Sequence, residues 1–295
     1  MIVDNQQNLK VHFAGLEAIN HLMITNIAEV NYSLFSIYKF IHNKVEGKGS
    51  LKYDPIPSTI ESLSRHTIMD SGLFTLMFGS QKGEKSVRFL DKWTDLILEF
   101  MQVTNYTGTY VEVDCQKVLG VEQAWRYREY MKQNSTNRQI NVFHIEDGMK
   151  GLDRMIEYSE YIAISVPELR FQKKKDYTYR LASYIKSKKP SIDIHLLGCT
   201  ELNLLKQCSF CSSSDSTSWM APMRYGQFES LDSKHAIKQI NSVKMANSYK
   251  PQIERFMEQY NISQLTNKSF EYYSLCIHQS KILKHKYSLY AGDQQ

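Results

Sequence analysis

The feature that most constrains this chain is an eightfold alternation between short β-like runs and segments with helical apolar spacing. The candidate strands are Val11–Leu16, Tyr32–Tyr38, Thr67–Met69, Tyr110–Val113, Asn141–His144, Tyr161–Ser165, Asp193–Leu197 and Phe210–Ser214. Between them, apolar residues recur every three or four positions. Val87, Leu90, Trp93, Leu96, Ile97 and Phe100 form one such series, and Ala124, Tyr127, Tyr130 and Met131 another. Leu152, Met155 and Ile156 repeat the pattern, as do Tyr179, Leu181, Tyr184 and Ile185. That spacing lines one face of a helix. Parallel strands need a helix-sized crossover between them, and eight such units within residues 11–214 favour closure over an open sheet. The expected fold is α/β, a (β/α)8 TIM barrel over residues 1–232 with additional C-terminal helices over 233–295 packed on it, in a single domain. Ser233 to Tyr260 reads as one or two helices through Ile237, Ile240, Val243 and Met245, and the tail from Thr266 to Tyr290 as more helix.

In such a barrel the loops after the strands' C-terminal ends carry the chemistry. Three runs end there in an acid followed by small or polar residues: His66-Thr67-Ile68-Met69-Asp70-Ser71-Gly72, Tyr110-Val111-Glu112-Val113-Asp114-Cys115, and the serine-rich segment around Asp215. A lone carboxylate in a core costs several kcal/mol, so these acids are expected to face a cavity. Taken alone, Asp70-Ser71-Gly72 is a common turn and Asp215-Ser216-Thr217-Ser218 a common helix N-cap. Their joint placement after strands, with Asp114 between, points to a nucleophile, a general base and a base-reading acceptor at one mouth.

Composition narrows the class. Hydrophobic residues at 42% and charged residues at 23% are ordinary for a folded protein. A net charge of +5 favours a polyanionic partner only weakly. The lysines at 173–175, at 186, 188 and 189, and at 281, 284 and 286 read first as solvated faces. Five scattered cysteines, a polar start and no long apolar run lead to the expectation of reduced thiols in a cytoplasmic protein without membrane spans. Cys208-x-x-Cys211 lacks two further ligands nearby, with only Cys276 and His278 at a distance. The pair therefore reads as core cysteines, and neither a metal nor another cofactor is expected.

The order of these motifs resembles the tRNA-guanine transglycosylase superfamily, and more closely its compact phage-type members that act on DNA. The family's Asp-Ser-Gly-Gly-Phe segment is matched by Asp70-Ser71-Gly72-Leu73-Phe74, and its purine-reading acid by Asp114. Val142-Phe143-His144 stands near its Gln-Gly-Gly loop, Ala163-Ile164-Ser165-Val166 at its Gly-Gly-Leu strand end, and His195-Leu196-Leu197-Gly198-Cys199-Thr200 at its penultimate strand. Its nucleophile falls on Asp215, with Arg224-Tyr225-Gly226 downstream. The resemblance covers roughly residues 10–230. It implies a barrel enzyme without cofactor that exchanges guanine for a 7-deazaguanine base. Asp215 and Asp70 would be catalytic. Asp114, Ser71, Gly72, His144, Ser165 and Gly198 would bind substrate, and Arg224, Lys173, Lys174 and Lys175 would contact nucleic acid. Leu73 replaces a family glycine and His144 the glutamine, and the Cys-x-Cys-x-x-Cys zinc insertion is absent. DNA is thus the expected partner, with tRNA the alternative. In a phage such exchange hides the genome from restriction, and the site of action is the host cytoplasm. A nucleosidase using the same acids, or a non-catalytic barrel subunit, are the rival readings.

Overall fold

The computed structural model describes residues 9–45, 54–78, 86–173, 176–199, 201–229, 234–236, 248–265 and 269–288. Eight parallel strands close into a barrel in chain order: β1 (Lys10–Ala14), β2 (Tyr32–Ser36), β3 (His66–Asp70), β4 (Thr109–Val111), β5 (Gln139–Phe143), β6 (Tyr161–Ser165), β7 (Asp193–Leu197) and β8 (Ser213–Ser216). The ring is closed by β8 pairing with β1, which sets Asp215 opposite His12. Helices connect the strands, so the expected α/β barrel is the one formed. The helix Val87–Val103 shows why its segment folds as it does. Ser86 Oγ accepts the Phe89 N–H as an N-cap, and Leu90, Trp93, Ile97 and Phe100 turn one face to the core.

Period-two alternation splits every strand between two environments. Phe13, Phe35, Met69, Tyr110, Phe143, Ile162, Ile164, Ile194 and Leu196 join the large core beneath the helices. Ala14, Leu34, Ile68, Val111, Ile140, Val142, Tyr161 and Ala163 fill the barrel itself. Two residues beyond Leu34, Ile68 and Ala163 come Ser36, Asp70 and Ser165, so the C-terminal mouth is polar and acidic. At the other end, the same alternation turns His12 and His66 inward.

Two details depart from the sequence reading. The last strand is Ser213–Ser216, not Phe210–Ser214, so Asp215 lies within the strand and not after it. Phe210 and Cys211 looked like strand residues because they are apolar. They instead belong to a turn in which Cys211 N–H donates to the Cys208 carbonyl, and both thiols are buried in the core. Residues 227–229 and 234–236 pair as two short antiparallel strands, the second within the stretch from Ser233 where helix was expected. Ile237, Ile240, Val243 and Met245 lie outside the described residues.

The helices Lys250–Gln259 and Phe270–Ser288 bear out the rest of the C-terminal expectation. The second packs on β1, on the helix Ile19–Ile27 and on Ala221–Tyr225. Its Tyr287 ring meets Phe13 edge-on, and the Tyr287 hydroxyl lies 3.2 Å from Ser216 Oγ. This helix therefore braces the strand that carries Asp215. Among the described residues no helix is long and apolar enough to cross a membrane.

Candidate active site

Asp70 is the last residue of β3, and the turn after it is fixed from three directions. Gly72 N–H donates to Asp70 Oδ1 at 2.8 Å, and the buried indole of Trp93 donates to the Ser71 carbonyl at 2.9 Å. Gly72 has φ +72°, and a Cβ there would stand 2.8–2.9 Å from the Tyr38 Cβ and backbone nitrogen. Only glycine fits. Burial pushes the Asp70 carboxyl up to about 6, against the Gly72 hydrogen bond, and the negative charges of Asp215 and Glu17 add to the rise.

Asp215 faces the same mouth. Its Oδ1 accepts the Gly198 N–H at 2.6 Å and lies 3.3 Å from Nε2 of the fully buried His195. Gly198 has φ +59°, and a Cβ on it would press 2.9 Å from Pro167 Cγ. Its N–H is spent on orienting Asp215, so its backbone positions the acid. Behind His195, Nδ1 lies 2.5 Å from Ser213 Oγ, which in turn lies 2.5 Å from the Tyr161 hydroxyl. Trp219 Nε1 donates to the Ala14 carbonyl at 2.9 Å and pins the segment after Asp215 against β1. Glu17, named in the sequence only as a strand-end acid, belongs to this mouth too, accepting the Ser36 N–H at 2.6 Å.

Asp114 and Glu112, two residues apart, have opposite surroundings. Glu112 is buried on the helix side against Arg128. Asp114 accepts from His144 Nε2 at 2.7 Å, while Nδ1 of the same ring lies 3.6 Å from Glu168 Oε2. Burial opposes charge on His144, but its hydrogen bond to Asp114 and the nearby Glu168 carboxylate outweigh it and push the imidazole up to about 10. The His144 ring beside it holds Glu168 down to about 2 against burial, with Lys117 helping. His144 is thus an imidazolium clamp between two carboxylates. Asp114 Oδ2 makes no hydrogen bond among the described residues.

This clamp has a consequence for stability. The folded value near 10 lies above the unfolded value near 6.5, so its contribution is complete below pH 6.5 and lost as pH rises through 10. Denaturant midpoints of the native protein are expected to fall between pH 6.5 and 10, and those of His144→Gln to stay flatter. Parallel curves for the two proteins would refute the clamp.

His144, Glu146 and Glu168 are close enough to share a metal ion, with ligand atoms within 4.8 Å of one another. Lys117 Nζ, however, lies 2.8 Å from Glu168 and 3.8 Å from Glu146 and already supplies a cation there. The donor set suits a lysine better than a metal. Cys208 and Cys211 pack in the core, as read from the sequence.

Ser71 is buried, and half-buried Ser165 ends β6 at the same mouth. Arg224 is exposed on the helix Ala221–Tyr225, and Lys173 is exposed past the helix Val166–Phe171. Lys174, Lys175 and Thr200 lie outside the described residues. Sequence reasoning missed two aromatics beside these cations, Phe171 at 91% and Tyr225 at 71% exposure. An aromatic next to a basic residue at the end of a short helix after a strand was the available signal. No protein-family model matches the chain, and no curated protein matches it.

Proposed function

We propose that the chain is a base-exchange transglycosylase that replaces guanine in DNA with a 7-deazaguanine base through a covalent aspartyl-glycosyl intermediate. The observation that carries the reading is a pair of carboxylates at one barrel mouth in unlike surroundings. Each accepts a glycine N–H, but Asp70 is raised to about 6 by burial, while Asp215 lies beside the fully buried His195. Two acids whose environments differ in this way suit separate acid–base and nucleophilic roles.

In the proposed reaction Asp215 attacks C1′, the C1′–N9 bond breaks, and Asp70 supplies the proton that guanine takes up as it leaves. The transition state is oxocarbenium-like, which favours the negative charge of Asp215 beside it. The incoming base then gives its N9 proton to Asp70 and attacks C1′, releasing Asp215. Two inversions give retention, and protons balance without a redox cofactor. The unoccupied Asp114 Oδ2 suits acceptance of the guanine N1–H and amino group. His144, which holds Oδ1, fixes the direction of that acceptor. The target nucleotide must leave its stack to enter a barrel mouth, at a cost of a few kcal/mol. Exposed Phe171 and Tyr225, beside Lys173 and Arg224, suit stacking on the neighbouring bases of an opened strand.

The direct test incubates the protein with labelled guanine and either DNA or tRNA. Label entering DNA supports the reading. Label entering tRNA alone would move the substrate and keep the chemistry, while release of free guanine without incorporation would mark a hydrolase.

Asp70→Asn supplies a second expectation. Base exchange should fall by about 10²–10⁴-fold, the usual worth of a positioned proton-transfer group. In the native protein it should also decline as pH rises above about 6, where Asp70 loses the proton that it gives to the leaving guanine. The substitution should raise stability while it lowers activity. Because the folded value lies above the unfolded one, ionised Asp70 weakens the fold above about pH 6, and an amide avoids that loss. Asp70→Asn should therefore melt higher than the native protein at pH 7, with the gap closing toward pH 4. An equal melting temperature at both pH values would contradict the buried-acid assignment.

A further inference from the structure

At the opposite, N-terminal mouth of the barrel lies a pocket of about 620 Å³ that the proposed chemistry does not use. Its walls come from the first residues of the strands and the turns before them. Lys10 opens β1, Arg65 precedes β3, Arg138 precedes β5, and Lys186 reaches in from the helix Tyr177–Lys188. The acid among these walls is Asp193, and it is already satisfied. Arg138 Nη2 lies 2.5 Å from its Oδ2, and Ser212 Oγ donates to its Oδ1. Lys186 spends its ammonium on the Pro190 and Ile192 carbonyls, which leaves its charge uncompensated. No carboxylate pairs with Lys10 or Arg65 among the described residues. Three positive charges thus stand around a concavity after Arg138 and Asp193 cancel.

The floor of the pocket is neutral and closed. His12 Nδ1 lies 3.3 Å from the Ser214 carbonyl, which can only accept, so His12 carries its proton there. Burial holds His12 far below the usual imidazole range, and burial with the charges of Lys10 and Arg138 lowers His66 as well. Both rings are therefore neutral. His66 Nδ1–H must then donate to His12 Nε2 at 2.9 Å, and the Thr109 hydroxyl to His66 Nε2 at 2.8 Å. The histidines use their nitrogens on one another and on strand atoms. They contribute no charge to the pocket, and they feel its cations.

We propose that this N-terminal pocket binds a small phosphorylated anion of nucleotide size, with Lys10, Arg65 and Lys186 as its cationic contacts. A concave wall of one sign focuses potential and concentrates counter-ions. The guanidinium of Arg65 offers paired donors to phosphate oxygens. The volume falls in the usual range of small-molecule sites, about 300–1,000 Å³, and exceeds the needs of a bare monatomic ion. Tyr32, Tyr161 and Phe210 add aromatic wall against which a planar group can lie. The site is independent of the reaction proposed at the other mouth.

Calorimetric titration of the full chain with inorganic pyrophosphate, with a nucleoside monophosphate and with a short single-stranded oligonucleotide separates the sources of phosphate. Saturable binding of pyrophosphate or the mononucleotide is expected, weakened roughly tenfold by each of Lys10→Ala and Arg65→Ala. Both residues are exposed, so the variants should keep the native circular dichroism and melting curve. The His66 imidazole should take up a proton more readily with ligand bound, seen as a shift of its titration by NMR. Binding of the oligonucleotide alone, no binding of any probe, or binding that both variants leave unchanged would overturn the proposal.

Discussion

Replacing Asp215 by asparagine is expected to lower base exchange by about 10⁴–10⁶-fold, the range seen when one member of a catalytic triad is removed. The barrel should survive the change. An asparagine Oδ1 can still accept the Gly198 N–H, and the side chain keeps its shape between β1 and β7. The lost charge is the one that the oxocarbenium-like transition state would feel, and an amide oxygen cannot form a stable ester at C1′. Two measurements check this together: incorporation of labelled guanine, and trapping of an enzyme–nucleic acid adduct that survives denaturation. Both should vanish in the variant while its melting temperature stays within a few degrees of native. Retention of exchange at near-native rate would remove Asp215 from the chemistry and, with it, the reaction proposed above.

The barrel was legible because burial imposes a period. Strands read as apolar runs, the intervening segments show helical spacing, and seven of the eight strands overlap their expected ranges closely. The eighth was misplaced because its buried residues are serines. Ser213, Ser214 and Ser216 are buried in the wall; the Ser213 hydroxyl meets His195 and Tyr161 and the Ser216 hydroxyl meets Tyr287, contacts that no hydropathy pattern reveals. Within the candidate site, the acids at strand ends were visible in the chain, but their surroundings were not. His144 looked like a substrate contact. Its partner Glu168 comes from the helix Val166–Phe171 after the next strand, and together with Asp114 it makes the ring a cationic clamp. Gly198 looked like a pocket residue, and its N–H proves to hold Asp215. His12, His66 and His195 are far apart in the chain, so their meeting inside the barrel is a product of closure alone.

Glu112 shows the same limit most sharply, and its replacement should produce the largest loss of stability. Read from the sequence, Glu112 and Asp114 are both acids at one strand end, and only Asp114 was given a role. In the fold, Arg128 from the helix Val121–Asn134 donates to both Glu112 oxygens, through Nε at 2.5 Å and Nη2 at 2.6 Å. Asn141 Nδ2 and the Val142 N–H complete the set at 2.6 and 3.0 Å. Both ionic side chains are 1% exposed. Glu112→Gln keeps the shape and removes the charge, leaving the Arg128 guanidinium buried without its counter-ion. Breaking one side of such a pair costs about 3–5 kcal/mol, against a total stability of about 5–15 kcal/mol for a typical domain. Replacing both partners with apolar residues is neutral or favourable in some proteins, but here it would orphan Asn141 and Val142 N–H, each worth about 1–3 kcal/mol. The double variant Glu112→Leu with Arg128→Met should therefore remain destabilised. Urea denaturation of the single and double variants tests both statements. If Glu112→Gln unfolded at the native midpoint while losing base exchange, Glu112 would belong with Asp114 in the chemistry and not with Arg128 in the scaffold.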